Sequence, residues 1–134
     1  MLKDLAEKYY TQGYNCAESL VRAGNEYYHL GLDEKAFKMT GAFGGGLQVG
    51  DICGALSGSA CVISSKYIET KAHDSEDLKP LMLNFVRAFQ THFSSRVCSQ
   101  IKAKFFSKEV HCLNTVTQTA EILEQVLTEY EATH

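Results

Sequence analysis

Residues 41–58 of the chain read GAFGGGLQVGDICGALSG and contain seven glycines in eighteen positions. A glycine-rich stretch is costly in conformational entropy unless the backbone needs that freedom. Gly50, Gly54 and Gly58 recur at every fourth position and predict one bare helix face, which another backbone, a sulfur atom or a ligand can approach closely. The mostly apolar residues that follow predict a central helix, beginning at Gly50 or Asp51, that is buried on nearly all sides.

Cysteines are placed at the predicted helix starts. Four of the five lie in the first turn of a predicted helix or in the loop just before it: Cys16, Cys53, Cys98 and Cys112. The partial positive charge and free N–H groups of a helix N-terminus stabilise a thiolate, so these positions favour nucleophiles or metal ligands. The simpler interpretation is that each free cysteine packs as a small hydrophobe. Cys53 ranks first as a nucleophile, because Gly54 beside it leaves the sulfur uncovered.

The rest of the sequence predicts helices and no strands. Apolar residues at helical spacing predict a first helix of about ten residues that Gly13 ends. A second helix follows, with Asn15 as its cap, Cys16 at its first position and Glu18 completing a capping box. Further helices are expected from Asp33 to Phe43, over residues 77–96 with Pro80 in the first turn, from Cys98 onward, and after a cap at Asn114 or Thr115. We therefore expect an all-α, single-domain bundle (residues 1–134) of five to seven helices around the central glycine-rich helix.

Composition limits the classes of function. With 134 residues, 45% of them hydrophobic, the chain can bury a substantial core as one globule. The formal charge is −3, and the thirteen lysine and arginine residues are spread along the chain, which argues against nucleic acid as a partner. Residues 41–51 lack the GK[ST] ending of a phosphate-binding loop and a preceding strand, so nucleotide binding is not favoured.

The N-terminal sequence MLKDLAEKYYTQ has no apolar run and no small-residue cleavage site, which argues against a signal peptide. The longest small or apolar run covers residues 52–63, too few for the roughly twenty that a membrane span needs. We therefore expect a cytoplasmic protein with no membrane insertion. In that reducing compartment several cysteines indicate metal binding or transient redox chemistry more often than structural disulfides.

The stretches GYNCAESLV around Cys16 and CGALSG over residues 53–58, followed by single cysteines at Cys98 and Cys112, together resemble a known pattern. The chain is similar to the family of redox-active proteins named C_GCAxxG_C_C, and the likeness covers nearly its whole length. Cys53 to Gly58 meet the CGAxxG element residue for residue. Cys61 lies outside the pattern, eight residues after Cys53 on the same predicted helix, too far for a direct disulfide. The resemblance implies redox-active cysteines and names no substrate or redox partner.

Two mechanisms fit these residues. In a dithiol relay, Cys53 or Cys16 attacks an oxidised substrate and a second of the four cysteines resolves the mixed disulfide, with no cofactor required. Alternatively, three or four of Cys16, Cys53, Cys98 and Cys112 hold an iron–sulfur cluster or a zinc ion, with His111 able to substitute for one sulfur. No CxxC motif is present, so both mechanisms need distant helix starts to converge. In either case an imidazolium at His111 would lower the pKa of the Cys112 thiol.

A third interpretation needs no redox chemistry. The chain would be a helical interaction module whose cysteines are buried and mutually distant. Its glycine face at Gly50, Gly54 and Gly58 would then pack helices together or join a homodimer. If the protein instead binds a cofactor, Gly54 and Gly58 are the positions expected to be open to it. A redox or metal site instead requires at least two sulfurs within a few ångströms of each other.

Overall fold

The first two helices follow the predicted boundaries. A computed structural model describes residues 1–134, in which α1 spans Leu2–Thr11 and α2 spans Cys16–Tyr28. Gly13 links them with a φ of +104°, a left-handed conformation that glycine adopts without strain. Asn15 caps α2 in a complete capping box with Glu18, which places Cys16 at the first helical position.

The third helix is shorter than predicted. Asp33 caps α3 as expected, but the helix covers only Glu34–Lys38 and gives way to a 3₁₀ turn at Gly41–Phe43. A single wide turn at Gly46–Gly50 follows, in which even Leu47 and Gln48 have positive φ. The glycines therefore form a chain of tight turns between α3 and the central helix.

The central helix, α4, spans Gly54–Tyr67 with Cys53 at its N-cap. The predicted start at Gly50 or Asp51 is wrong, because Gly50 has a φ of +78° and Asp51 also leaves the helical region. Instead, the backbone after Asp51 is extended and pairs with a distant segment through a bridge between Ile52 and Val97. Gly50 consequently does not lie on the helix face that carries Gly54.

The last three helices are α5 (Leu78–Phe93), α6 (Cys98–Phe105) and α7 (Leu113–Thr133). Pro80 lies in the first turn of α5 as predicted, and Cys98 opens α6. The predicted cap of the last helix at Asn114 or Thr115 is wrong. Two backbone hydrogen bonds between Ser107 and His111 close a turn just before α7. The helix therefore begins earlier in the sequence than predicted, with Cys112 at its N-cap.

The core surrounds α4, which packs against α2, α5 and α7. Phe85, Phe89 and Phe93 from α5 are almost completely buried, and each such side chain contributes roughly 1.5–3 kcal/mol by leaving water. The seven α-helices, without any strand beyond two isolated bridges, confirm the predicted all-α bundle. None of the seven combines the length and apolar character needed to cross a bilayer.

Candidate functional site

The start of α2 is pressed against the start of α4. A side chain on Gly54 would place its Cβ 3.4 Å from Cys16 Cβ and 2.9 Å from the carbonyl oxygen of Phe43. Only glycine fits there, so the CGAxxG element brings the first turn of α4 directly onto Cys16. Cys16 itself is partly exposed.

Cys53 and Cys98 are brought together by the bridge between Ile52 and Val97. The Cys53 N–H donates to the Arg96 carbonyl at 2.8 Å, and the Cys98 N–H donates to the Asp51 carbonyl at 2.5 Å. In an antiparallel pair these two cysteines are diagonal neighbours. Both are buried, at 3% and 6% exposure.

The glycine turns also cover Cys98. Gly46 lies so close to α6 that a Cβ there would be 2.6 Å from Cys98 Cβ. Its φ of +63° adds a second reason for glycine at this position. The turns of residues 44–50 thus hold the starts of α4 and α6 side by side.

Cys112 is held from the other end of the sequence. Its N–H donates to the hydroxyl oxygen of Tyr10 at 3.0 Å, which ties the start of α7 to the end of α1. Only 8% of Cys112 is exposed. His111 before it has a φ of +58°, and this left-handed residue turns the chain into the helix.

Cys16 and Cys112 shift each other's pKa in opposite directions. Hydrogen bonding between them lowers the pKa of Cys112, and the charge of Lys102, the Tyr10 hydroxyl and the charge of His111 lower it further against the effect of burial. The same hydrogen bond, followed by burial, raises the pKa of Cys16. Because Lys102, Tyr10 and His111 all favour charge on Cys112, we assign the thiolate to Cys112 and the proton to Cys16.

The expectation that the helix start gives Cys53 a low pKa is wrong. Burial raises the pKa of the Cys53 thiol to about 11, although the backbone N–H groups of Ala55 and Leu56 act in the opposite direction. Burial likewise raises the pKa of Cys98, against the charge of Lys102. Desolvation of the sulfur therefore outweighs the helix N-terminus at both positions. Whether Cys53 or Cys98 takes part in catalysis stays a prediction.

The structure gathers the four predicted cysteines at one end of the bundle. Cys16, Cys53 and Cys98 all lie close enough to Cys112 for its charge to raise their pKa values. Cys61, in α4, is outside this group: burial alone raises the pKa of its thiol. All five cysteines are free thiols.

The glycine face of α4 is occupied by the chain itself. At Gly58 an added Cβ would lie 2.8 Å from the carbonyl oxygen of Ala17 and 2.9 Å from its Cα. Gly54 is covered by Phe43, Gly44 and Cys16, as described above. The sequence predicts that a backbone, a sulfur atom or a ligand approaches this helix face. A backbone and a cysteine residue do so, and these glycines are therefore not open to a cofactor.

Sequence inspection missed three features of this site. Tyr10 and Lys102 contribute to the charge on Cys112, and neither stands near it in sequence. The third is a cavity of about 500 Å³, lined on one side by Tyr10, Thr11, Gly13, Tyr14 and Asn15 and on the other by Glu109, Val110, His111 and Leu113. One local signal existed for Lys102: it follows Cys98 by four residues, so it shares a face of α6 with that cysteine.

No three histidine, cysteine, aspartate or glutamate side chains are placed together as a metal ion would require. The zinc or iron–sulfur interpretation of the four cysteines stays a prediction. The same holds for a redox partner, a homodimer and a cytoplasmic location.

A helical bundle with four thiols gathered at helix starts defines a class of small all-α cysteine proteins. A sequence model of the family described as "Putative redox-active protein (C_GCAxxG_C_C)" matches residues 14–126. The chain belongs to this family, which confirms the resemblance drawn from its cysteine pattern. Neither the curated proteins nor the solved structures include a significant match to the chain.

Proposed function

We propose that the protein carries out thiol–disulfide exchange through Cys16 and Cys112, with Cys112 as the attacking thiolate and Cys16 as the resolving thiol. The observation that carries this proposal is the opposite pKa shift of these two cysteines, each caused foremost by the other, which favours the charge on Cys112 and the proton on Cys16. A thiolate is the nucleophilic form of cysteine, and a second thiol in contact can complete the exchange. The family description, a redox-active protein, is consistent with this role.

The exchange runs in two balanced steps. The Cys112 thiolate attacks one sulfur of a disulfide RS–SR; the Cys112–SR bond forms, the S–S bond breaks, and RS⁻ leaves. Cys16 then gives up its proton and attacks the Cys112 sulfur, which forms the Cys16–Cys112 disulfide and releases a second RS⁻. Two electrons pass from the protein to the substrate. A reduced thiol compound restores the dithiol by the reverse exchange.

The first step prepares the second. The pKa of Cys16 is raised foremost by its hydrogen bond to Cys112 and also by the negative charge there. Once Cys112 is part of a mixed disulfide, its sulfur carries no charge and no longer favours the protonated form of Cys16. The pKa of Cys16 then falls, and its thiolate becomes available just when resolution requires it.

Cys53 and Cys98 have a different role in this scheme. Burial keeps their pKa values raised, so both are protonated at neutral pH while Cys112 is charged. They pack beside the reacting pair as neutral thiols, and they form a second pair that could be oxidised only after the first. This order differs from the sequence-based ranking, which placed Cys53 first.

Peptide mapping by mass spectrometry tests the proposal. Reduced protein is mixed anaerobically with bis(2-hydroxyethyl) disulfide, quenched at intervals with acid and digested without reduction. We expect a Cys16–Cys112 disulfide to form first, with the protein losing the mass of two hydrogens. In Cys16→Ser the reaction should stop at a mixed disulfide on Cys112.

Cys61→Ser provides the matched control, since it removes a thiol outside the group and should leave the product and its rate unchanged. Formation of a Cys53–Cys98 disulfide before any Cys16–Cys112 disulfide would contradict the assignment. So would a mixed disulfide on Cys16 in Cys112→Ser that forms as fast as the wild-type product.

A further inference from the structure

The cavity of about 500 Å³ is lined by the chain neighbours of Cys16 and Cys112, and neither cysteine is itself part of the lining. Asn15, which precedes Cys16, lines one wall, and His111, which precedes Cys112, lines the other. Tyr10 lines it as well, and its hydroxyl contacts the backbone of Cys112. The cavity is therefore next to the residues that set the charge and position of the reacting sulfur.

Access to that sulfur is restricted. Cys112 is only 8% exposed, because the end of α1 and the turn before α7 close around it. A disulfide on the surface of a folded protein must bring its own bulky surroundings within bonding distance of the attacking sulfur. A small molecule meets no such obstacle, and the volume of the cavity falls in the range of roughly 300–1,000 Å³ typical of small-ligand sites.

We infer that the substrate of the Cys16–Cys112 pair is a low-molecular-weight disulfide that enters this cavity, an inference that rests on the thiol–disulfide exchange proposed above. Tyr10 and Tyr14 supply aromatic surface for the carbon chains of such a molecule, and the Thr11 hydroxyl oxygen can accept a hydrogen bond from its substituents. The products are two equivalents of the corresponding thiol and the protein disulfide.

Rates of oxidation test the inference with two named probes, bis(2-hydroxyethyl) disulfide as the small disulfide and insulin as the protein disulfide. Val110→Trp and Thr11→Trp each fill the cavity from a different wall, and Val110 and Thr11 are exposed enough to accept the larger side chain. We expect either change to slow the reaction with the small disulfide at least about tenfold, because the sulfur to be attacked is displaced from its position near Cys112. Wild-type protein should react much more slowly with insulin than with the small disulfide.

Val49→Trp is the matched control. Val49 is 79% exposed and lies outside the cavity lining, so this change should leave both rates unaltered. The ultraviolet absorbance of the Cys112 thiolate, followed against pH in each variant, shows that the filled cavity has not simply altered the nucleophile.

A failure of the cavity inference and a failure of the proposed exchange give different results. If wild-type protein oxidises equally fast with insulin, or if neither cavity variant slows the small disulfide, the cavity is not the substrate site, while the exchange chemistry of the pair stands. If wild-type protein forms no Cys16–Cys112 disulfide and Cys16→Ser forms no mixed disulfide on Cys112 with either probe, the proposed exchange itself is wrong. Should Val110→Trp not fold, Thr11→Trp decides the question alone.

Discussion

The charge on Cys112 depends on side chains from three separate helices and one turn: Cys16 in α2, Tyr10 in α1, Lys102 in α6 and His111 before α7. Each lowers the pKa of Cys112, so its thiolate persists below the ordinary thiol pKa of about 8.5. As pH falls through the lowered pKa, the nucleophile is lost. We therefore expect the rate of alkylation by iodoacetamide to contain a fast phase that survives at pH values where ordinary thiols are protonated.

Cys112→Ser should remove that phase and lower the rate near pH 6 at least about tenfold, because the thiolate fraction falls tenfold for each unit below a thiol's pKa. Cys53→Ser is the control and should preserve the fast phase, since the raised pKa of Cys53, about 11, leaves almost no thiolate there. The reverse result, with the phase lost in Cys53→Ser and kept in Cys112→Ser, would restore the ranking drawn from the sequence.

Tyr10 has two roles at the same sulfur. Its hydroxyl accepts the Cys112 N–H at 3.0 Å and, by donating its own proton, favours the Cys112 thiolate. Tyr10→Phe removes one hydrogen bond to a charged group, worth about 1.5–3 kcal/mol, and should raise the pKa of Cys112 by about one unit or more. Titration of thiolate absorbance measures the change. Tyr9→Phe, which removes a hydroxyl bonded to Glu26 on the exposed side, should not move this pKa.

At the scale of elements, α2 and α4 touch backbone to backbone, and Gly58 permits it. In Gly58→Ala the new Cβ would meet the Ala17 carbonyl oxygen at 2.8 Å, so the two helices must separate. Overpacking of this kind costs roughly 1–3 kcal/mol, partly offset by the better helix propensity of alanine, about 1 kcal/mol. We expect a net loss of up to about 2 kcal/mol in the free energy of unfolding, measured in urea.

Gly41→Ala is the matched control, because its Cβ would have only an ordinary contact, 3.8 Å from a Glu18 carboxylate oxygen. Its stability should stay within about 0.5 kcal/mol of wild type. A gain of stability in Gly58→Ala would mean that α2 can shift to make room for the new Cβ. It would contradict the inference that the CGAxxG glycines are needed for the close approach of α2 and α4.

The helices that sequence predicts best are those with strong local signals. The Asn15–Glu18 capping box, the Asp33 cap and the place of Pro80 in α5 were all predicted from neighbouring residues alone. The start of α4 was misplaced because it is set by pairing with Val97, far along the chain, and the cap of α7 because it depends on a turn at His111. Local patterns contain no information about such distant contacts.

For the molecule as a whole, the sequence predicted a cysteine cluster but not its internal order. The convergence of the helix starts was expected because both redox mechanisms require it, whereas the pairing of Cys16 with Cys112 depends on how α1 and α7 pack. The pKa of Cys53 was misjudged for the same reason. A helix N-terminus is visible in sequence, but the degree of burial that outweighs it is a property of the assembled bundle.

Oxidation should therefore alter the stability of the entire fold. A Cys16–Cys112 disulfide closes a loop of about 100 residues, which in the chain-entropy model stabilises the folded state by up to about 4–5 kcal/mol. Each cysteine already shifts the pKa of the other in the reduced protein, so the two side chains lie near each other before the disulfide forms. We expect oxidised wild-type protein to unfold at a higher urea concentration than reduced protein, and Cys16→Ser exposed to the same oxidant to show no gain.

By linkage, a gain of about 4 kcal/mol also means that folding favours the disulfide about a thousandfold, which makes the reduced pair a good electron donor. A lower urea midpoint on oxidation would contradict this and indicate a strained disulfide, suited to oxidising thiols instead.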